Sequence, residues 1–147
     1  MIRTSQRIWA ASILLVLSLL ACDSQQNVAA TPDPSAVLHA IPPPDAAQYE
    51  HIQDMKNWRN PYLIVRADGV VLFDTADSAE IKVKTDDLLA TLAQLPASNW
   101  PYGRVVAVAE VGARSSEQDG VAIRRNKGIV GGMLEGAHVA LRWVPST

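Results

Sequence analysis

Histidines and aspartates are the side chains of this sequence that could carry acid–base or metal chemistry. His39, His51 and His138 are bases near neutral pH, but no two of them have the His-x-x-x-His spacing of a helical metal site. Asp74 and Asp77 follow an apolar run, where phosphotransfer enzymes place carboxylates that bind magnesium. The Asp-x-Asp spacing of those enzymes is missing, so the pattern favours a solvated turn over a catalytic site.

A basic segment rich in glycine is a candidate for binding anions. Arg124, Arg125 and Lys127 lie beside glycines at positions 128, 131 and 132. A phosphate-binding loop needs glycine amides directly after a strand and a Gly-Lys-Ser/Thr end, and this segment has neither. We therefore expect the small residues to let a helix lie close to a sheet.

A pair of serines could supply a hydroxyl nucleophile. Ser115 and Ser116 lack the Gly-x-Ser-x-Gly elbow and an identifiable base. Glu117 and Asp119 follow them, which favours a helix cap instead. The sequence therefore predicts no catalytic residue, no metal ligand and no cofactor, and we expect a protein that is not an enzyme. A small hydrolase built from the two aspartates and a histidine is the least favoured alternative.

The first 22 residues have the pattern of a cleavable secretory signal. Arg3 and Arg7 precede an apolar run from Ile8 to Leu20, and small Ala21 follows it. As a helix, this run of roughly 13 residues would span about 20 Å, short of the roughly 30 Å hydrocarbon core of a bilayer. Polar residues from Asp23 onward prevent a longer apolar span, so cleavage is favoured over a membrane-spanning helix.

The segment Leu19-Leu20-Ala21-Cys22 resembles the lipobox of bacterial lipoprotein precursors. The resemblance implies a signal peptide of residues 1–21, a thioether between Cys22 and diacylglycerol, and acylation of the new amino terminus by a fatty acid such as palmitate. Two or more acyl chains give stable membrane anchoring, so we expect a lipid-anchored protein that faces the periplasm. Asp23 resembles the inner-membrane retention signal and weakly favours that membrane over the outer one. An uncleaved signal anchor and ordinary secretion with a free thiol are the alternatives.

Composition agrees with export. The precursor has 13 basic and 15 acidic residues, and loss of Arg3 and Arg7 with the signal leaves a net charge of about −4. A negative protein is a poor electrostatic partner for nucleic acid, so none is expected. Cys22 is the only cysteine, so the fold contains no disulfide within the chain.

A proline-rich stretch follows the cysteine. Residues 22–45 contain Pro32, Pro34 and the run Pro42-Pro43-Pro44 among small and polar residues, which is typical of an extended spacer. We interpret this stretch as a tether for a globular domain over residues 46–147. Val37, Leu38 and Ile41 could alternatively add a short edge strand.

The first half of the domain predicts a helix and a hairpin. Gln48 to Trp58 is compatible with a short helix that Asn60-Pro61 ends. Tyr62 to Ala67 and Val70 to Asp74 are apolar, β-branched runs on either side of Asp68-Gly69, the dipeptide suited to a type I′ turn.

The second half predicts alternating helices and strands. Ile81 and Val83 alternate with charged residues as in a half-exposed strand, and Thr85 is placed to cap a leucine-rich helix that Pro96 ends. Val105 to Val111 reads as a buried strand and Ala137 to Val144 as a final strand. Residues 115–135 favour a helix over a hairpin turning near Gly128, because a helical crossover brings the last strand into the same sheet. The fold class is α+β, with the order β-β-α-β-α-β and helices on one face of a small sheet.

Two family resemblances follow from these elements. The domain resembles the periplasmic domain of the ExbD/TolR biopolymer-transport family. The resemblance rests on the aliphatic strand and Ala-Asp-Gly of Tyr62 to Gly69, on the order of the later elements, and on the approach Ile41-Pro42-Pro43-Pro44. That family carries an aspartate in a transmembrane helix, and Ile8 to Leu20 has no ionisable residue, so proton-driven transport is not implied. Arg124-Arg125 gives a weaker resemblance to the peptidoglycan-binding OmpA-like domain, whose Asn-x-x-Leu-Ser pattern is missing.

The predicted function is protein binding in the cell envelope. A free sheet edge can recruit a peptide through main-chain hydrogen bonds without special residues. Aromatic side chains are the other expected anchors of an interface, and we single out Trp58, Trp100, Tyr102 and Trp143. Peptidoglycan binding is the alternative.

Overall fold

The computed structural model describes residues 32–74, 79–111 and 116–145, with the side chain of Asp74 excepted. In these residues five strands form one mixed sheet. The strands are β1 (Tyr62–Arg66), β2 (Gly69–Asp74), β3 (Ala79–Val83), β4 (Val105–Glu110) and β5 (Ala140–Trp143), in the spatial order β3-β2-β1-β4-β5. β1, β2 and β3 pair antiparallel, whereas β4 runs parallel to both β1 and β5.

Four α-helices and three short 3₁₀ turns accompany the sheet in the described residues. The helices are α1 (Pro34–His39), α2 (Ala46–Tyr49), α3 (Leu88–Ala93) and α4 (Glu117–Gly136), and the 3₁₀ turns are Met55–Asn57, Thr85–Asp87 and Ala97–Asn99. The predicted α+β class is confirmed. The half-exposed strand predicted around Ile81 is a full member of the sheet, so the order from β1 onward is β-β-β-α-β-α-β.

β1 and β2 form the predicted hairpin, with Val65 opposite Val70 and Arg66 opposite Gly69. The predicted turn was wrong by one residue, because its central residues are Ala67 and Asp68. A type I′ turn needs positive φ at both central residues, and His138 is the one described residue other than glycine with positive φ. Gly69 adopts the unusual backbone, with φ of 138°, directly after the turn.

The main core lies between one face of the sheet and helices α1, α3 and α4. Leu88 and Leu92 of α3 are fully buried there, as the leucine spacing predicts. Thr85 does not cap α3, since it begins a 3₁₀ turn and no side chain caps the helix. The sheet contributes the alternate residues Leu63, Val65, Val70, Leu72, Val106 and Val108.

The segment for which a helix was favoured over a hairpin is the long helix α4. Ser116 accepts a hydrogen bond from the Asp119 amide at 3.1 Å, and the Asp119 carboxylate accepts one from the Ser116 amide at 3.2 Å. This capping box satisfies two amides that a helix start leaves without partners. The side chains of Ile123, Val130 and Leu134 face the core. The helix forms the crossover that places β5 parallel to β4, as predicted.

The predicted role of the glycines in α4 is wrong. A Cβ atom added at Gly128, Gly131 or Gly132 would meet nothing within 4 Å, so these residues do not bring the helix close to the sheet. Gly128 and Gly132 lie on the solvent side of α4.

Alanine at Gly128 or Gly132 is therefore expected to raise the free energy of unfolding by about 0.5–1 kcal/mol, because glycine in a helix costs that much conformational entropy. Urea denaturation measures the gain. Gly103→Ala is the control with the opposite sign, since Gly103 has φ of 77° and its Cβ would overlap the Pro43 carbonyl. A loss of stability in Gly128→Ala would contradict the expectation.

A second cluster covers part of the opposite face of the sheet. Its buried members include Ile52, Trp58, Tyr62 and Tyr102, with Tyr49 of α2 packed against them. The helix predicted from Gln48 to Trp58 is reduced to α2 and the turn Met55–Asn57. Caps at Asp45 and Asp54 start two separate short elements. Ile52 follows the first and Trp58 follows the second, and both are buried in the core. α2 consequently departs from the prediction that all helices share one face.

The folded domain begins earlier than residue 46. Helix α1 occupies Pro34–His39, so this part of the chain is neither the predicted extended tether nor the alternative edge strand. Leu38 of α1 is completely buried against α3 and the sheet. Asp33 caps α1 and Pro34 fills its first position, where the missing amide costs nothing. The proline run that follows is held to the domain at Pro42, whose carbonyl accepts a hydrogen bond from the Arg104 amide at 2.8 Å.

Candidate functional site

The four aromatic residues predicted as an interface lie in different places. Trp58 is fully buried, and Trp100 and Tyr102 are exposed by only 4% and 9%. The Trp58 indole donates to the Pro61 carbonyl at 3.2 Å, and the Tyr102 hydroxyl donates to the Asn57 carbonyl at 3.2 Å. These three side chains form the core rather than a contact surface. Trp143 is 46% exposed and is the one of the four that a partner can reach.

Trp143 lies at the end of β5 beside an ion pair. The Lys127 ammonium is 3.1 Å from the Glu110 carboxylate and 4.5 Å from the centre of the Trp143 ring. A cation over an indole face is held by the ring quadrupole. The arrangement fixes one side of the ring and leaves the rest of it accessible.

The edge strand β3 is the most exposed strand of the sheet. Every residue from Ala79 to Lys82 is exposed, including Ile81 at 44%, and only Val83 enters the core. β3 pairs with β2 on one side, and in the described part of the chain no strand lies on its other side. Alternate amides and carbonyls of such an edge point away from the sheet and can pair with an added strand.

Two ion pairs hold β3 to the hairpin. Arg66 binds Glu80 with 3.1 Å between nitrogen and oxygen, and Lys82 contacts Asp68. The hydrogen bond from Lys82 lowers the pKa of Asp68 below its ordinary value. Both pairs are exposed, and pairs of this kind contribute little to stability. Main-chain pairing with β2 sets the register of the strand, and its outer edge stays open.

Among the predicted hydrolase residues, Asp74 and His138 are not brought together. Asp74 ends β2 and His138 precedes β5, and three strand intervals separate those strands, about 14 Å at the usual spacing. His51 is exposed in the segment after α2. Asp77 and Ser115 lie outside the described residues. Arg124 and Arg125, the basis of the OmpA-like resemblance, are both exposed on α4.

Arg104 is a buried residue that the sequence did not single out. Its guanidinium donates to the carbonyls of His138 at 2.7 Å, His39 at 2.8 Å and Ile41 at 3.3 Å. These carbonyls lie at the ends of α4 and α1, where helix dipoles favour a positive charge. Arg104 therefore joins the start of the folded domain to its last strand. Only its position one residue before a buried strand could have indicated it.

Two buried asparagines and a second arginine do similar work. Asn60 donates to the carbonyls of Gly103 and Val105 at 2.7 and 2.8 Å, and Asn126 of α4 donates to the Arg66 carbonyl at 2.8 Å. Arg142 of β5 donates to the Ile52 carbonyl at 2.5 Å. These side chains hold loops against the sheet, so their hydrogen bonds have a structural role.

Three buried polar atoms in the described part of the chain have no hydrogen-bond partner. They are the Tyr62 hydroxyl, the Trp100 indole nitrogen and the Nε atom of Arg66. The two aromatic side chains have packed apolar neighbours. Burial raises the pKa of Tyr62 above its ordinary value, so its hydroxyl stays protonated at neutral pH.

Neither a membrane span nor a multidentate metal cluster is found in residues 32–74, 79–111 and 116–145. No helix there combines the length and apolar character needed to cross a bilayer. No three His, Cys, Asp or Glu side chains in these ranges are grouped to hold a metal ion.

Comparisons with protein-family models, with curated proteins and with solved structures each gave no match.

Proposed function

We propose that this protein is a lipoprotein anchored through Cys22 in the bacterial cell envelope, and that its domain binds another envelope protein in the periplasm without catalysing a reaction. The lipobox of Leu19 to Cys22 supports the anchor. Asp23 favours the inner membrane as the site of anchoring.

The exposed edge of β3 is the observation that supports protein binding. A partner segment added beside β3 would gain main-chain hydrogen bonds, and the half-exposed Ile81 would supply an apolar contact. Main-chain pairing with β2 keeps the strand ordered before binding, which lowers the entropic cost of association. Trp143, at the opposite edge of the sheet, is a secondary contact in this proposal.

The anchor is tested by lipid labelling. Cells that express the full chain are grown with labelled palmitate, and we expect label in the wild-type protein and none in Cys22→Ser. The intact mass of the purified protein then gives the number of acyl chains. An unlabelled wild-type protein would overturn the anchor and leave the binding proposal to the next experiment.

Partner binding is tested by affinity capture from detergent-solubilised envelope. We expect a stoichiometric protein partner with the wild type and with Val121→Asp, and loss of that partner with Ile81→Asp. Val121 is the matched control because it is also an exposed β-branched residue, at 56%, but lies on α4. Circular dichroism establishes that both variants are folded. Equal recovery with the two variants would remove β3 as the binding surface, and retention on purified peptidoglycan would favour the OmpA-like alternative.

A further inference from the structure

We propose that His39 and His138 form a binding site for a divalent transition-metal ion of the zinc type, with solvent in the remaining coordination positions. The two residues are far apart in sequence, at the end of α1 and after the end of α4. In the fold their rings lie 5.6 Å apart, centre to centre, with an angle of 89° between the planes. Both side chains are exposed, so an ion can reach them.

The ring separation fits two imidazoles on one ion. Zinc binds imidazole nitrogen at about 2.0–2.1 Å, which places the ion about 3.2 Å from each ring centre. Two rings whose centres are 5.6 Å apart then subtend about 120° at the ion, near the tetrahedral angle that zinc prefers. Binding requires each ring to turn about its side-chain bonds until one of its nitrogens faces this common point.

Arg104 preorganises the pair. One guanidinium donates to the main-chain carbonyls of both histidines, at 2.7 Å to His138 and 2.8 Å to His39. Arg104 itself is only 9% exposed, so it holds the two main chains from beneath while the imidazoles extend toward solvent. Outer-shell hydrogen bonds that fix ligand residues raise metal affinity in known sites.

The backbone of His138 is a second observation in favour of the site, because its position at the helix end usually takes glycine. The His138 amide donates to the Glu135 carbonyl at 2.9 Å and the Val139 amide to the Leu134 carbonyl at 2.8 Å, which is a Schellman motif. Glycine usually occupies the left-handed position of this motif because it has no Cβ. Here histidine occupies it, with φ of 56°.

An open depression with a carboxylate in its lining lies beside the two histidines and can hold a solvated ion. The depression has a volume of about 550 Å³ and is lined by His138, Glu135, Arg104 and Pro44 among others. Glu135 adds a carboxylate to the lining of the depression, and the Arg104 donors are directed at carbonyl oxygens. Two protein ligands with solvent at the open positions give an exchangeable site, and we expect micromolar affinity.

Calorimetric titration with zinc chloride tests the site. The full chain carries Cys22→Ser, which removes the competing thiolate, and is purified in detergent without a histidine tag. We expect one zinc ion per chain and at least a tenfold loss of affinity in His39→Ala and in His138→Asn. Asparagine tolerates the left-handed backbone, so the second variant tests the imidazole and not the turn. His51→Ala is the matched control, an exposed histidine outside the pair whose loss should leave the affinity unchanged.

Hydrogen exchange supplies a second readout on the same samples. A metal ion shared by His39 and His138 ties α1 to the end of α4, so zinc should slow amide exchange in residues 34–40 of the parent chain and not in His138→Asn. Absence of saturable micromolar binding, binding that survives both substitutions, or an equal loss in His51→Ala would overturn the site. Magnesium chloride should give no heat of binding, since magnesium prefers oxygen ligands.

Discussion

Replacing Arg104 with alanine is expected to lower the free energy of unfolding by about 3–5 kcal/mol, because several carbonyls lose a charged donor together and each such bond contributes about 1.5–3 kcal/mol. The carbonyls of Leu38, His39, Ile41 and His138 all accept from this one guanidinium. Some of that loss is recovered where water reaches the exposed acceptors, so the sum of the individual bonds overstates the effect. Urea denaturation followed by circular dichroism measures it.

Two further variants separate the geometry of Arg104 from its charge. Arg104→Lys keeps the charge but not the planar fork, so we expect a smaller but clear loss of stability. Arg125→Ala removes an exposed arginine of α4 and should change stability by no more than about 0.5 kcal/mol. A loss below about 1 kcal/mol in Arg104→Ala would show that the carbonyls do not need their buried partner.

Trp58→Ala is expected to cost about 3–5 kcal/mol, the usual penalty for removing a large aromatic side chain from a core. Trp58 is completely buried, stacks edge-on against Tyr49 with 5.7 Å between ring centres, and lies 5.5 Å from the Arg142 guanidinium. Its loss would leave a cavity beneath α2 and remove one of the contacts of Arg142. Urea denaturation again gives the value, with near-ultraviolet circular dichroism reporting aromatic packing.

Trp143→Ala provides the comparison within the same residue type. Trp143 is 46% exposed and its main contact is the Lys127 cation, worth about 0.5–1 kcal/mol at such a site. The two tryptophans should therefore differ in stability effect by at least about 2 kcal/mol. Equal losses would mean that Trp58 is not the core residue that its burial indicates.

The sequence predicted the elements whose formation depends mainly on neighbouring residues, namely the hairpin, α4 and β4. The hairpin follows from β-branched runs on either side of a turn, and α4 follows from Ser116 and Asp119, whose reciprocal hydrogen bonds define its start. The buried strand β4 is a run of valine and alanine that could not face water. The signals for the hairpin and β4 lie within about ten residues. The choice of a helix over a hairpin for α4 also used the crossover that the last strand needs to join the sheet.

Tertiary contacts determined what the sequence could not predict. α1 was missed because its prolines are typical of a spacer, whereas Leu38 and the main chain of residues 39–42 bind to parts of the domain distant in sequence. Exposure of the aromatics depends on which face each element presents, so Trp58 and Trp143 were indistinguishable before the fold was known. The approach of His39 to His138 likewise requires α1 to be docked, since no spacing in the sequence indicates it.

The docking of α1 limits how far the domain can reach from a membrane. If the anchor is at Cys22, roughly eleven residues separate it from the cap of α1 at Asp33, and even a fully extended chain of that length spans no more than about 40 Å. The domain would then stay within a thin layer above the lipid headgroups. A partner would have to present its binding segment within that layer, which excludes contacts deep in the opposite side of the periplasm.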